Sequence, residues 1–88
     1  MYCIVVYDIS DLKKQRDIRN FLRRYLEKIQ LSVFHGDLNP SQLKEIEIFF
    51  ERIKFEKNES VVIFYSQIHS RMAYKKFGRE IERSNIIS

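Results

Sequence analysis

The chain has few of the residues that the commonest catalytic schemes require. Its 88 residues include one cysteine, one proline, two glycines, two histidines and no tryptophan. The single cysteine, Cys3, cannot close an internal disulfide, which points to a reducing, cytoplasmic setting. Inside an apolar run it reads as a small core side chain. There is no glycine-rich phosphate loop, no cysteine–histidine spacing suited to zinc and no HExxH pair. With only His35 and His69 available, a serine triad is implausible. No apolar run approaches the ~20 residues needed to cross a bilayer, so no membrane partner is expected. The first residues enter an apolar run directly, without a basic region or a small-residue cleavage site, so no signal peptide is expected. Internal repeats and low-complexity segments are also missing.

What is present is a folding composition, 44% hydrophobic and 14% aromatic, which is globular rather than disordered. A chain of this length makes one domain, spanning 1–88. Its core is small enough that dimerisation is expected before any motif is read. The net charge of +4 favours a polyanionic partner such as nucleic acid.

The chain is organised around its opening residues. Six apolar or aromatic side chains run unbroken over 2–7 and are rich in β-branched and ring residues. That composition fits a central strand buried on both faces. The run stops at Asp8, and Ile9-Ser10-Asp11 turns into a helix. A carboxylate at the exit of a central strand sits where core meets solvent, which suits a catalytic or metal-binding group; the plainer reading is a turn cap. Ser10 and Asp11 are N-cap candidates. Ile18, Phe21, Leu22, Tyr25 and Leu26 then mark the apolar stripe of a helix over about 11–26. Arg16, Arg19 and Arg23 share a neighbouring face, with Lys13, Lys14 and Arg24 around the rest. This is either an ordinary solvated surface or a cationic ridge for a phosphodiester, lying near the same end of the sheet as Asp8.

Ile29, Leu31 and Val33 alternate with Gln30 and Ser32, the period-two pattern of a half-buried strand. Gly36 interrupts it: either His35-Gly36 turns a hairpin, or Gly36 bulges one long bent strand. His35 could serve as a base or ligand, but a lone histidine beside a turn reads more simply as exposed. Asn39, Pro40 and Gln42 form a helix start of the capping-box type, and the spacing of Leu43, Ile46, Phe49, Phe50 and Ile53 carries that helix to about residue 54. Glu45, Glu47 and Glu51 read as its solvated side. A polar loop over 55–59 leads to a second inner strand over 60–65. Met72, Tyr74 and Phe77 suggest a further short strand or arm ended by Gly78. The apolar pair Ile86-Ile87, beyond a charged stretch, is placed to join the sheet edge of a partner. The element order reads as an α+β, ferredoxin-like split βαβ sandwich: an antiparallel sheet with two helices on one face.

Three segments carry a family resemblance. They are Tyr7-Asp8-Ile9-Ser10-Asp11 closing the first strand, the arginine-rich helix carrying Phe21-Leu22, and the run from Ile29-Gln30-Leu31-Ser32-Val33-Phe34-His35-Gly36-Asp37-Leu38. With a tail ending Ser84-Asn85-Ile86-Ile87, the chain resembles the small CRISPR-associated Cas-two family over nearly its whole length. The resemblance implies a ferredoxin-like homodimer with its C-terminal strand exchanged, residues 79–88 forming an arm that packs on the partner subunit. It implies an endonuclease that hydrolyses single-stranded RNA or double-stranded DNA, with Asp8 catalytic. In that reading Asp8 binds Mg2+ (or Mn2+) together with Asp8 of the second subunit. Tyr7, Ser10, Arg16, Arg19 and Phe34 are the positions expected to meet nucleic acid. It also implies a role as adaptor between dimers of the CRISPR integrase Cas-one during spacer acquisition in antiviral defence. Two alternatives accompany it: a non-catalytic DNA-binding scaffold for that integrase, and a toxin ribonuclease like virulence-associated protein D. A ferredoxin-like module binding a small metabolite is disfavoured, because no glycine-rich ligand loop is present.

Overall fold

The first strand, β1 (Tyr2–Asp8), alternates strictly between its two sides: Cys3, Val5 and Tyr7 are buried, whereas Ile4 and Val6 are half-buried and Tyr2 and Asp8 exposed. In the computed structural model, which describes residues 1–66 and 72–78, the elements that follow are α1 (Leu12–Leu22), β2 (Glu27–Gln30), β3 (Val33–Asp37), α2 (Pro40–Glu51), β4 (Ser60–Ser66) and β5 (Met72–Gly78). The strands form one sheet in the order β2-β3-β1-β4-β5, every neighbouring pair antiparallel. This is the expected α+β ferredoxin-like arrangement with a fifth strand at one edge, and β1 is its central strand.

Ile18 and Leu22 of α1 and Leu43, Ile46 and Phe50 of α2 join Cys3, Val5, Tyr7, Phe34, Val61 and Ile63 in one buried cluster. Both helices therefore cover the same face of the sheet. Only one side of β1 is buried in the single chain, against the expectation of two, because the fold supplies one helical layer. Along the other face run Ile4, Val6, Val33 and Val62, half-buried, beside Phe64 (36% exposed) and Tyr74 (55%).

Local chemistry accounts for the helix starts. Asp11, extended at φ −76° and ψ 122°, caps α1 by accepting from the Lys14 amide at 2.7 Å. Asn39 and Gln42 exchange reciprocal bonds of 2.8 and 3.0 Å around Pro40, completing the capping box of α2. Both helices stop short of the expected ends. After Leu22 the chain tightens, with the Arg24 and Tyr25 amides donating to the Phe21 and Leu22 carbonyls. Tyr25 and Leu26, though in phase with the stripe, therefore lie beyond the helix, and Leu26 still packs into the core.

The hairpin turn falls at Leu31-Ser32, between β2 and β3, rather than at His35-Gly36. Nor does Gly36 bulge; the register shift lies between Lys28 and Gln30. Gly36 sits inside β3 opposite Cys3, and a Cβ there would come within 3.1 Å of Leu26 Cδ2. It is a packing gap left for the side chain that closes the end of the α1 connection. The predicted arm over 79–88, with Ile86-Ile87, and His69 lie outside the described residues.

Candidate active site at the end of the central strand

Asp8 is the last residue of β1, paired with Ser60 of β4, and its side chain is exposed. Strand alternation puts it on the open face with Ile4 and Val6, opposite the helices. Directly after it the chain dives: Ile9 is buried, and its carbonyl accepts from Gln15 Nε2 at 2.7 Å.

The turn over 9–11 is held by a residue that sequence reasoning missed. Glu59 is wholly buried, one residue before β4. Its Oε2 accepts from the Ser10 amide (3.0 Å), the Ser10 hydroxyl (3.0 Å) and the Asp11 amide (3.1 Å). Its Oε1 accepts from Lys14 Nζ (2.5 Å) and the Glu56 amide (2.9 Å). Lys14 also donates to the Lys54 carbonyl at 2.8 Å, tying the segment after α2 to the start of α1. Burial pushes the Glu59 carboxyl up, but hydrogen bonds from Lys14, the Glu56 and Asp11 amides and Ser10 outweigh it and hold the pKa at about 2. The carboxylate is thus charged and fully ligated. Gly78 of β5, at φ +95°, packs against the Glu59 backbone, with which a Cβ there would collide.

The expected nucleic-acid contacts divide. Phe34 is wholly buried under the helices, its ring stacked 6.3 Å from that of Tyr7, so a base has no access to it. Tyr7 is 4% exposed, and its hydroxyl donates to the Leu31 carbonyl at 3.2 Å. Burial raises its pKa, against the opposing pull of a hydrogen bond and charge from Arg19 and of the Arg23 charge. These two aromatics belong to the core, because residues at odd positions of β1 face the helices. The Ser10 hydroxyl is engaged by Glu59. Arg16 stands exposed on α1, while Arg19 is half-buried beside the Tyr7 hydroxyl. The structure therefore brings Tyr7, Phe34 and Arg19 together on the covered face, and leaves Asp8 on the open one. His35 lies on that open face opposite Ile4, its Nδ1 bonded to the Tyr2 hydroxyl at 2.7 Å. Four strand residues, roughly 13 Å, separate it from Asp8.

Among the described residues no three His, Cys, Asp or Glu side chains cluster as a metal site. Asp8 alone fits part of one: a hard cation such as Mg2+ takes oxygen donors and is commonly held by one or two carboxylates and water. Among the described residues no helix is long and apolar enough to cross a membrane.

Comparison with known proteins places this geometry. The family model described as CRISPR associated protein Cas2 matches residues 1–76. The chain belongs to the Cas2 family. An Archaeoglobus fulgidus relative, "CRISPR-associated endoribonuclease Cas2 2", is 34% identical over 83 residues, 94% of this chain and 87% of that protein. A Nanoarchaeum equitans Cas2 endoribonuclease is 54% identical over 43 residues, but that match spans only 46% of its length and 49% of this chain. A solved structure titled "Crystal structure of cas2" superposes with a TM-score of 0.65 at 36% identity, covering 81% of this chain and 87% of that one. The fold is thus that of a Cas2 chain.

Proposed function

We propose that this Cas2 chain is a Mg2+-dependent endonuclease of CRISPR defence, cytoplasmic and homodimeric, in which Asp8 from each of two copies holds a shared ion. One observation carries the reading: the only charged side chain that β1 presents is an exposed carboxylate, at the edge of an apolar sheet face that no helix covers. A second copy laid on Ile4, Val6, Val62 and Phe64 would bury that face and, through two-fold symmetry, could bring the two carboxylates together. Mn2+ would satisfy the same oxygen donors. The bound ion supplies activation of water and neutralises charge on the scissile phosphate. RNA, taken as single-stranded, is the first substrate class, on the strength of the relatives' names, with duplex DNA the second. The exposed cations of α1 and its C-cap, Arg16 and Arg23 among them, supply phosphate contacts.

The test is cleavage of labelled single-stranded RNA and duplex DNA, with Mg2+ and with chelator, by the wild-type protein and Asp8→Asn. Cleavage is expected to require the ion and to vanish in the variant while the dimer persists. Survival of cleavage in Asp8→Asn would assign the activity elsewhere. A second reading, a DNA-binding adaptor between integrase Cas-one dimers in spacer acquisition, is favoured by the exposed basic side chains of α1 and the turn that ends it, where Lys13, Arg16, Arg23 and Arg24 all reach solvent. For it, Arg16→Glu should weaken duplex binding and flatten its salt dependence. An unchanged salt slope would make that face ordinary solvated surface. Family membership favours both over the toxin ribonuclease.

A further inference from the structure

We infer that Glu59 is a positioning residue for Asp8: its buried carboxylate grips the backbone immediately after the strand and thereby sets the direction in which the Asp8 side chain leaves the sheet. The inference rests on the reading of Asp8 as the metal-holding carboxylate.

Three observations carry it. Oε2 of Glu59 takes the two consecutive amides of Ser10 and Asp11 together with the Ser10 hydroxyl, at 3.0 to 3.1 Å. That is a nest of donors gathered on one oxygen, two residues past Asp8. The same carboxylate is braced from its other oxygen by Lys14 and the Glu56 amide, so it cannot swing without breaking bonds on both sides. Finally, Glu59 directly precedes Ser60, the β4 residue paired with Asp8. Because the two strands are antiparallel, both ends of the clamp lie just past the same end of the Asp8–Ser60 pair, Glu59 one residue before Ser60 and Ser10 two residues after Asp8. A helix cap needs no such device; Asp11 already caps α1 with its own side chain. The surplus rigidity falls on the short turn joining Asp8 to α1.

A carboxylate that must share an ion with a second copy tolerates little misdirection, because Mg2+ demands near-ideal geometry. Groups that orient a metal ligand without touching the ion typically affect metal affinity or activity 10–100-fold. In Glu59→Gln, one of the two oxygens becomes an amide donor facing donors, and the turn is released on one side.

The experiment titrates Mn2+ by water-proton relaxation, and Mg2+ by cleavage of a labelled single-stranded RNA, in the full-length wild type, Glu59→Gln, Asp8→Asn and the control Glu47→Gln. Glu47 is a comparably buried carboxylate, paired with Lys75 at 2.8 Å between α2 and β5. Glu59→Gln should need about tenfold or more Mn2+ and Mg2+ for half-saturation, with the apparent KM for RNA unchanged. Glu47→Gln should lose thermal stability yet titrate like wild type. Wild-type titration by a folded Glu59→Gln protein overturns the inference, as does an equal shift in both glutamate variants, since general loosening would then suffice. If Asp8→Asn also binds Mn2+ as wild type does, the metal reading of Asp8 fails instead, which is a distinct outcome. Should Glu59→Gln not fold, amide exchange on the wild-type protein decides. The Ser10 and Asp11 amides must exchange far more slowly than those of an open turn, and Mn2+ must broaden Asp8 and its neighbours first. Rapid exchange at those two amides overturns the clamp.

Discussion

The buried Glu59 makes the protein's response to acid predictable. Its carboxyl has a pKa of about 2 in the folded protein and an ordinary carboxylate value, near 4.3, once unfolded. A folded pKa below the unfolded one means that the stabilisation is fully present above the unfolded value. It is lost as pH falls through the window from about 4.5 to about 2. Because a tenfold change in proton affinity is worth about 1.4 kcal/mol, the full loss is about 3 kcal/mol, close to what breaking a buried, hydrogen-bonded ion pair costs. For a domain of this size, that corresponds to a fall in Tm of roughly 10–20 °C. The assay is thermal unfolding followed by far-ultraviolet circular dichroism at fixed ionic strength between pH 6 and pH 2, for wild type and Glu59→Gln. Wild type should lose stability through the window. The variant should start lower and vary less, because the carboxyl that folding shifts down to about 2 is gone. Parallel curves for the two proteins would refute the assignment of the acid response to Glu59.

Other outcomes follow from the same packing. Gly78→Ala places a Cβ at φ +95° against the Glu59 backbone and should cost about 1–3 kcal/mol, read by urea unfolding; no loss would mean that β5 does not pack against the Glu59 backbone. Phe34→Ala removes a wholly buried ring and should cost about 3–5 kcal/mol. Its effect on nucleic-acid affinity should vanish at temperatures where the variant is folded, as a gel-shift titration would show. Asp8→Asn, by contrast, should abolish ion-dependent cleavage with a Tm within a few degrees of wild type, because the side chain is exposed.

Much of the fold is written in local signals. The capping box at Asn39 and Gln42 works over three residues and needs nothing distant, so sequence and structure agree on it. The same holds for the start of α1 at Asp11, for the helical stripes, and for the unbroken apolar run that makes β1 the central strand. What failed had a non-local cause. Gly36 looked like a turn or a bulge, but the absence of its side chain serves Leu26, ten residues earlier. Tyr7 and Phe34, which the family resemblance offers as nucleic-acid contacts, fill the core. An apolar run such as 2–7 carries no period from which to tell one face from the other.

Glu59 is the extreme case. In the sequence it is one of two acidic residues in the polar loop over 55–59, and no neighbour marks it. Apart from the Glu56 amide, the donors that make it a buried anchor lie 45 to 49 positions away, at Lys14, Asp11 and Ser10. The order of elements, the helix boundaries near their caps and the carboxylate at the exit of β1 were set by the sequence alone, because hydrogen bonding within a few residues and hydrophobic periodicity act along the chain. Which face of the sheet Asp8 occupies, which aromatics are core, and what grips the turn behind it were decided only by tertiary packing. Burial and charge compensation act through space, between segments that the chain itself keeps far apart.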